Sequence, residues 1–449
     1  MNRAVIRLTR AAAGLFYRLR ELGEEVPAEG PLLLVGNHPN GLVDPVLVAS
    51  RTHREVRFLG KAPLFALPVL GRIMRRMRAL PVYRAVDGAD TQQNERTFAA
   101  VYEALLEGSV VCLFPEGYTH DEPSLQRLKT GAARMALGAE AQANFELGVR
   151  VVPVGLVFRN KGVYRSSAAS WVGASIPVSD LREAHAADPF AAAQELTDRV
   201  ARGLRAVTLN LEQWEDLPLL ELAERLWPRG GGDPGDPGGP RVQRLHALAR
   251  GLRALRARDP ERARDLVARV SDFRGRLRRL GIDVDDLRIE YGPGLVARFV
   301  IKNLLALGLG LPAALLGFAL WLVPYYLVRL VVSVRRIEDS VVATVKLIAS
   351  ILFFPLWYAV LVYLGLRLGG VPGAAALALL APPLGLFTAG FWEKRAEAVE
   401  DAAVFFRMLR ARSLRERLQR RRRALEAEIE ATSRLLVQEP APGRGAGAP

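Results

Sequence analysis

Between residues 31 and 160, short unbroken apolar runs alternate with longer mixed stretches: PLLLVG (31–36), VRFLG (56–60), ALPVY (79–83), SVVCLF (109–114) and VRVVPVGLVF (149–158). Runs this short and this apolar, bounded by turn residues, predict strands covered on both faces. DTQQNERTFAAVYEALLEG (90–108) instead carries helical spacing. The alternation predicts an α/β domain over 28–228, a mixed sheet covered by helices and closed by charged helical sequence from 188 to 226.

Outside that domain the pattern changes several times. In MNRAVIRLTRAAAGLFYRLREL, Val5, Leu8, Ala12, Leu15, Phe16 and Leu19 follow helical spacing while arginines fall around them. This predicts an amphipathic helix over 1–27 lying on a membrane surface, or packed on the domain behind it. RGGGDPGDPGGP at 229–240 cannot sustain a regular element and reads as a linker. Leu245, Leu248, Leu252 and Leu255 then mark a basic helical segment over 241–299. LIASILFFPLWYAVLVYLGL (347–366) and VPGAAALALLAPPLGLFTAGF (371–391) each have the length of a bilayer crossing, and RLGG joins them as a hairpin within a membrane region at 300–392. The run 304–328 is also long enough, but Pro312, Pro324, Tyr325 and Tyr326 favour a re-entrant or in-plane segment. A charged helical tail (393–438) and a disordered end (439–449) complete the chain.

Charge and composition narrow the class. The formal charge is +15, yet no zinc finger, RNP-like motif or aromatic-basic interleaving accompanies it. With apolar spans in the same chain, anionic lipid headgroups are the expected partner and nucleic acid is not. Basic residues flank the hairpin on both sides whereas only Arg367 lies in its turn, which places both flanks on the cytoplasmic face. The single cysteine, Cys112, sits in an apolar strand pattern and reads as packing.

The candidate chemistry lies where strands should end. In GNHPNGLVDP (36–45), His38 and Asp44 follow the first apolar run, and FPEG (114–117) ends the run at 109–114. A histidine held by an aspartate is a general base, because the carboxylate fixes the tautomer and stabilises the imidazolium. There is no G-x-S-x-G, so a His–Asp pair here suits a substrate that brings its own attacking hydroxyl. Asp44 before Pro45 and VLVA is equally readable as a helix cap, and His38 as a satisfied turn residue.

These blocks carry a resemblance. NHPNGLVDP, ALPVYR (79–84), FPEG and VVPVGL (151–156) occur in the order seen in the glycerolipid acyltransferase family, which includes lysophosphatidate and glycerol-3-phosphate acyltransferases. The usual spacing puts four residues between the His and the Asp, whereas Pro39 to Val43 make five. The usual FPEGTRS is FPEGYTHD, with Thr119 in place of the arginine. Both departures resemble the branch containing the fungal glycerol-3-phosphate/dihydroxyacetone-phosphate acyltransferases.

The resemblance implies acyl transfer from acyl-CoA or acyl-carrier protein to a glycerophosphate, with no cofactor. It implies His38 as base and Asp44 as its orienting partner. Arg84 is implied as the ligand of the acceptor phosphate, with Lys129 or Arg134 as a second positive charge. Glu116 would fix its loop and meet acceptor hydroxyls, Gly117 would admit close backbone approach, and Lys61 would meet the donor. Each basic residue is otherwise a solvated surface charge. The five histidines lie far apart without metal-ligand spacing. The rival reading is a non-catalytic lipid-binding scaffold, against which intact His38, Asp44 and FPEG argue.

Overall fold

The computed structural model describes residues 11, 13–14, 16–67, 70–83, 92, 94–161, 163, 165–227, 241–287, 293–334, 339–410 and 412–438. Arg84, the expected linker at 229–240 and both ends of the chain lie outside them. By its contacts the chain divides into two units, Met1–Asn210 with Arg336–Leu347, and Leu211–Arg335 with Ile348–Pro449.

The first unit holds a mixed sheet. Its strands are β1 (Tyr17–Gly23), β2 (Leu32–Gly36), β3 (Val56–Lys61), β4 (Leu80–Val82), β5 (Val110–Leu113), β6 (Arg150–Phe158), β7 (Ser166–Val172) and β8 (Ile176–Pro177). They lie in the order β1-β7-β6-β2-β5-β3-β4, with β8 on β6. The pairs from β6 through β2, β5 and β3 to β4 are parallel, and β7 is antiparallel to β6. Every residue of β2 is buried, and its side chains alternate between two cores. Leu33 and Val35 join α3 (Asn94–Leu106), α4 (Gly131–Gln142) and α6 (Pro189–Val207) on one face. Leu32 and Leu34 join α1 (Val43–Ala49) and Tyr17 on the other. Two shorter helices, α2 (Leu70–Arg76) and α5 (Arg182–Ala187), complete the unit. The expected mixed sheet covered by helices is therefore present. Cys112 is fully buried within it, and burial pushes its thiol pKa up, so the sulfur packs rather than reacts.

One expectation is corrected here. The amphipathic helix expected over 1–27 does not run that far: Tyr17–Gly23 is a strand, paired in parallel with β7. Tyr17 and Leu19 pack in the same core while Arg18 and Arg20 between and after them are exposed, so over these residues a period of two prevails over the helical period.

The second unit is helical: α7 (Asp216–Leu226), α8 (Arg241–Arg258), α9 (Pro260–Leu280), α10 (Pro293–Val334), α11 (Asp339–Arg410) from Ile348 onward, and α12 (Arg412–Gln438). Leu226, Phe273, Leu277, Val284 and Leu287 form one core with Leu418, Leu425 and Ile429 of α12. Arg256 of α8 makes a two-pronged bond to buried Asp216, both arms 2.7 Å.

Two stretches, Ile301–Ser333 and Ile348–Trp392, are long and apolar enough to cross a membrane. The second reverses at Gly370, whose φ of 62° and ψ of −156° break the helix. The arms close on each other there: a Cβ on Gly365 would stand 2.7 Å from the Gly373 oxygen. Two prolines of these helices orphan carbonyls that aromatic donors from neighbouring segments recover. Pro324 cannot bond to Leu320, whose oxygen accepts from Trp357 Nε1 at 2.7 Å. Pro382 cannot bond to Ala378, whose oxygen accepts from the Tyr358 hydroxyl at 2.8 Å.

Candidate active site

Leu34, Cys112 and Phe58 stand in one row across β2, β5 and β3. His38 is four residues beyond that row, Glu116 four and Lys61 three, so the chain delivers all three to the carboxyl edge of parallel strands. That edge is where open α/β sheets place ligands.

The first loop is held to the sheet by Asn37. Its side chain donates to the Leu156 oxygen at 3.0 Å and accepts from the Leu156 N–H at 2.7 Å, continuing the β2–β6 pairing for one step. His38 follows, its ring stacked on Phe114 with centroids 4.1 Å apart and planes 9° from parallel. His38 Nδ1 lies 2.8 Å from Asp44 Oδ2. With Asp44 ionised, Nδ1–H donates to the carboxylate, which in the neutral imidazole leaves Nε2 as the acceptor nitrogen. Nε2 has no partner among the described residues, and the side chain is 16% exposed.

Asp44 does not cap α1. The cap position is Leu42, and the buried Asp44 Oδ2 accepts from His38 and from the Asn40 N–H at 2.6 Å. Burial pushes the Asp44 pKa above its ordinary value, and the bond from His38 works against that rise.

The second loop is built round Glu116, also buried. Its Oε1 accepts from the His38 N–H at 3.2 Å, and its Oε2 from the Gln126 N–H at 2.7 Å and from His120 Nε2 at 2.6 Å. His120 Nδ1 accepts from the Glu122 N–H at 3.1 Å, so that imidazole is the neutral Nε2–H form. Glu116 therefore ties the FPEG turn to the His38 loop. Gly117 follows with φ of 81°, and a Cβ there would stand 2.7 Å from Lys129 Nζ, so the lysine reaches across the turn.

The remaining sequence-derived candidates are placed differently. Lys61 ends β3 opposite Val82 of β4. Arg134 lies with its guanidinium 5.0 Å from the Phe98 ring centroid, stacked between α4 and α3. Sequence reasoning missed Phe114 as the surface behind His38, and Asn40, Tyr17 and Lys161 as supports. The aromatic at the head of FPEG was the one available signal. Among the described residues no group of three or more His, Cys, Asp or Glu side chains could hold a metal ion.

An α/β domain with a His–Asp pair and a buried glutamate at the carboxyl edge of its parallel strands defines a class, and the comparisons specify it. Residues 18–157 match the family model described as Acyltransferase. Glycerol-3-phosphate O-acyltransferase 2 of Saccharomyces cerevisiae is 35% identical over 140 residues, 31% of this chain and 19% of the yeast protein. Chloroplastic 1-acyl-sn-glycerol-3-phosphate acyltransferase LPAT1 of Arabidopsis thaliana is 27% identical over 148 residues, 32% of this chain and 38% of that protein. The crystal structure of the 1-acyl-sn-glycerophosphate acyltransferase PlsC from Thermotoga maritima aligns over 44% of this chain and 78% of that chain, at 18% identity and a TM-score of 0.34. The matched segment thus spans about a fifth of the yeast relative. Residues 18–157 therefore form an acyltransferase-family domain, similar in sequence to the glycerol-3-phosphate O-acyltransferases of yeast.

Proposed function

We propose that the protein is a membrane-bound O-acyltransferase that moves a fatty acyl group from acyl-CoA or acyl-carrier protein to a hydroxyl of glycerol-3-phosphate or lysophosphatidate in phospholipid synthesis. Glycerol-3-phosphate is the first acceptor, in keeping with the names of the yeast relatives. The observation that carries the reading is the His38 imidazole, committed to Asp44 through Nδ1 and open at Nε2 beside the FPEG turn.

Nε2 takes the proton of the acceptor hydroxyl as its oxygen attacks the thioester carbonyl carbon. Asp44 Oδ2 holds the Nδ1–H and stabilises the imidazolium that results. The tetrahedral adduct collapses with loss of the C–S bond, and the imidazolium returns its proton to the leaving thiolate. Glu116 keeps the two loops in register, Gly117 leaves the backbone approachable, and Lys129 supplies positive charge over the turn. Lys61 meets the donor at the end of β3, and Arg134 of α4 is the alternative to Lys129 as the second positive charge.

Arg84 is the proposed ligand of the acceptor phosphate, since a guanidinium fork matches phosphate oxygens bidentately and an ammonium does not. Arg84→Lys is expected to raise the acceptor KM and lower the acceptor kcat/KM by about 10-fold or more, leaving the thioester KM near wild type. Steady-state kinetics with each substrate varied in turn check this, and unchanged acceptor constants move the assignment to Lys129 or Arg134.

Membrane placement is supported by the helical core of the second unit. Leu287 precedes the apolar region and Leu418 follows it, yet both lie in one core, so the chain between them crosses the bilayer an even number of times. With the Gly370 hairpin crossing twice, the 304–328 run makes no complete crossing, and the flanks and catalytic domain share the cytoplasmic face. After Cys112→Ala, single cysteines at positions 336, 369 and 433 are labelled with an impermeant thiol reagent in sealed vesicles. Only position 369 is expected to label from outside. Outside labelling at 336 would make the 304–328 run a true span and overturn the re-entrant reading.

A further inference from the structure

The strand that replaces the expected N-terminal helix brings a buried phenol under the active loop. Tyr17 is 1% exposed, edge-on to Phe158 with centroids 5.5 Å apart and to Phe16 at 4.8 Å. Its hydroxyl does two things at once. It accepts from Asn40 Nδ2 at 2.9 Å and donates to the backbone oxygen of Lys161. Asn40, fully buried, in turn donates its backbone N–H to Asp44 Oδ2, the same oxygen that His38 Nδ1 meets. The Lys161 ammonium is ion-paired to Asp121, which lies in the second loop next to His120. One hydroxyl thus sits where the supports of both loops converge.

The load on Asp44 Oδ2 sharpens the point. Asp44 Oδ1 and Asn40 Oδ1 are both buried with no hydrogen-bond partner among the described residues. The orientation of the carboxylate toward His38 is therefore set at a single oxygen, by two donors, and one of those donors belongs to the residue that Tyr17 grips. Burial raises the phenol pKa to about 12, so the hydroxyl keeps the proton it donates to Lys161.

We propose that Tyr17 is a positioning residue for acyl transfer: by clamping the Asn40 side chain it holds the Asn40 N–H on Asp44 Oδ2 and so fixes the carboxylate that orients His38. This rests on the reading of His38 and Asp44 as the catalytic pair. It also ties the pair to β1, the strand directly behind the basic N-terminal segment.

Tyr17→Phe removes one oxygen and keeps the ring. The expected result is a fall in kcat of roughly three- to thirty-fold, inside the range of coupling seen within hydrogen-bond networks, with KM for both substrates within about twofold. Asn40→Ala reproduces the loss, and the double variant is no worse than either single. A second readout does not need turnover: in protein carrying isotope-labelled histidine, the Nδ1–H proton resonance of His38 shifts in Tyr17→Phe. If Tyr17→Phe does not fold, Asn40→Ala is judged by the same two criteria. Wild-type kcat together with an unshifted His38 resonance overturns the proposal, and so does a loss confined to KM. If the wild-type protein transfers no acyl group, the catalytic reading fails, and the resonance alone still decides whether Tyr17 orients the pair.

Discussion

Replacing His38 with alanine is expected to lower the proposed transfer rate by about 100- to 10,000-fold, the usual cost of losing a general base. The stability change separates chemistry from architecture. Without His38, the buried Asp44 keeps only the Asn40 N–H on Oδ2. A buried acceptor short of one donor costs about 1–3 kcal/mol, so the melting temperature falls while the protein still folds. His38→Asn returns an amide donor to the place of Nδ1 but supplies no base. It is expected to recover much of the melting temperature and none of the rate. Activity that returns with stability would make His38 a structural residue. Thermal melts and initial rates on the three proteins decide the matter.

Asp44→Asn is expected to lose a comparable factor in rate and to gain, or at least keep, stability at neutral pH. Burial is the leading influence on this carboxyl and raises its pKa above 3.8, despite the opposing bond from His38. The folded protein therefore holds the Asp44 proton more tightly than the unfolded chain. As pH rises from 3.8 through the folded value, the unfolded state sheds the proton first, and the native state loses stability relative to it. The ionised Asp44 is thus a net cost at neutral pH, and asparagine removes it. The difference in melting temperature between Asp44→Asn and wild type should be positive near pH 7 and shrink toward pH 4. A marked loss of stability at pH 7 would mean that the carboxylate serves the fold.

The apolar strands were legible because they are covered on both faces, so PLLLVG and SVVCLF leave no polar position to mislead. The edge strand β1 was not. Tyr17–Gly23 buries only Tyr17 and Leu22, and its Arg18 and Arg20 also fit the outer side of a helix continuing from residue 11. Only the pairing with β7, more than 140 residues on, selects the extended form. Likewise α12 reads locally as a charged helix. Its Leu418, Leu425 and Ile429 form a stripe whose partners lie in α7 and α9, beyond the reach of local periodicity. At the site, His38, Asp44 and Glu116 were readable because their loops follow recognisable strands. Tyr17, Asn40 and Lys161 were not, since their roles arise from backbone and side-chain bonds that exist only once β1 and β7 are paired.

The proposed route is direct transfer, in which the acceptor hydroxyl, activated by His38, attacks the thioester itself. Purified protein is mixed with a radiolabelled acyl-CoA, with and without glycerol-3-phosphate, and thiol release is followed beside ester formation. The expected result is thiol release that depends on the acceptor, matches ester formation one for one, and disappears in His38→Ala. A burst of thiol without acceptor, leaving labelled acyl groups on the protein, or full transfer by His38→Ala, would contradict it.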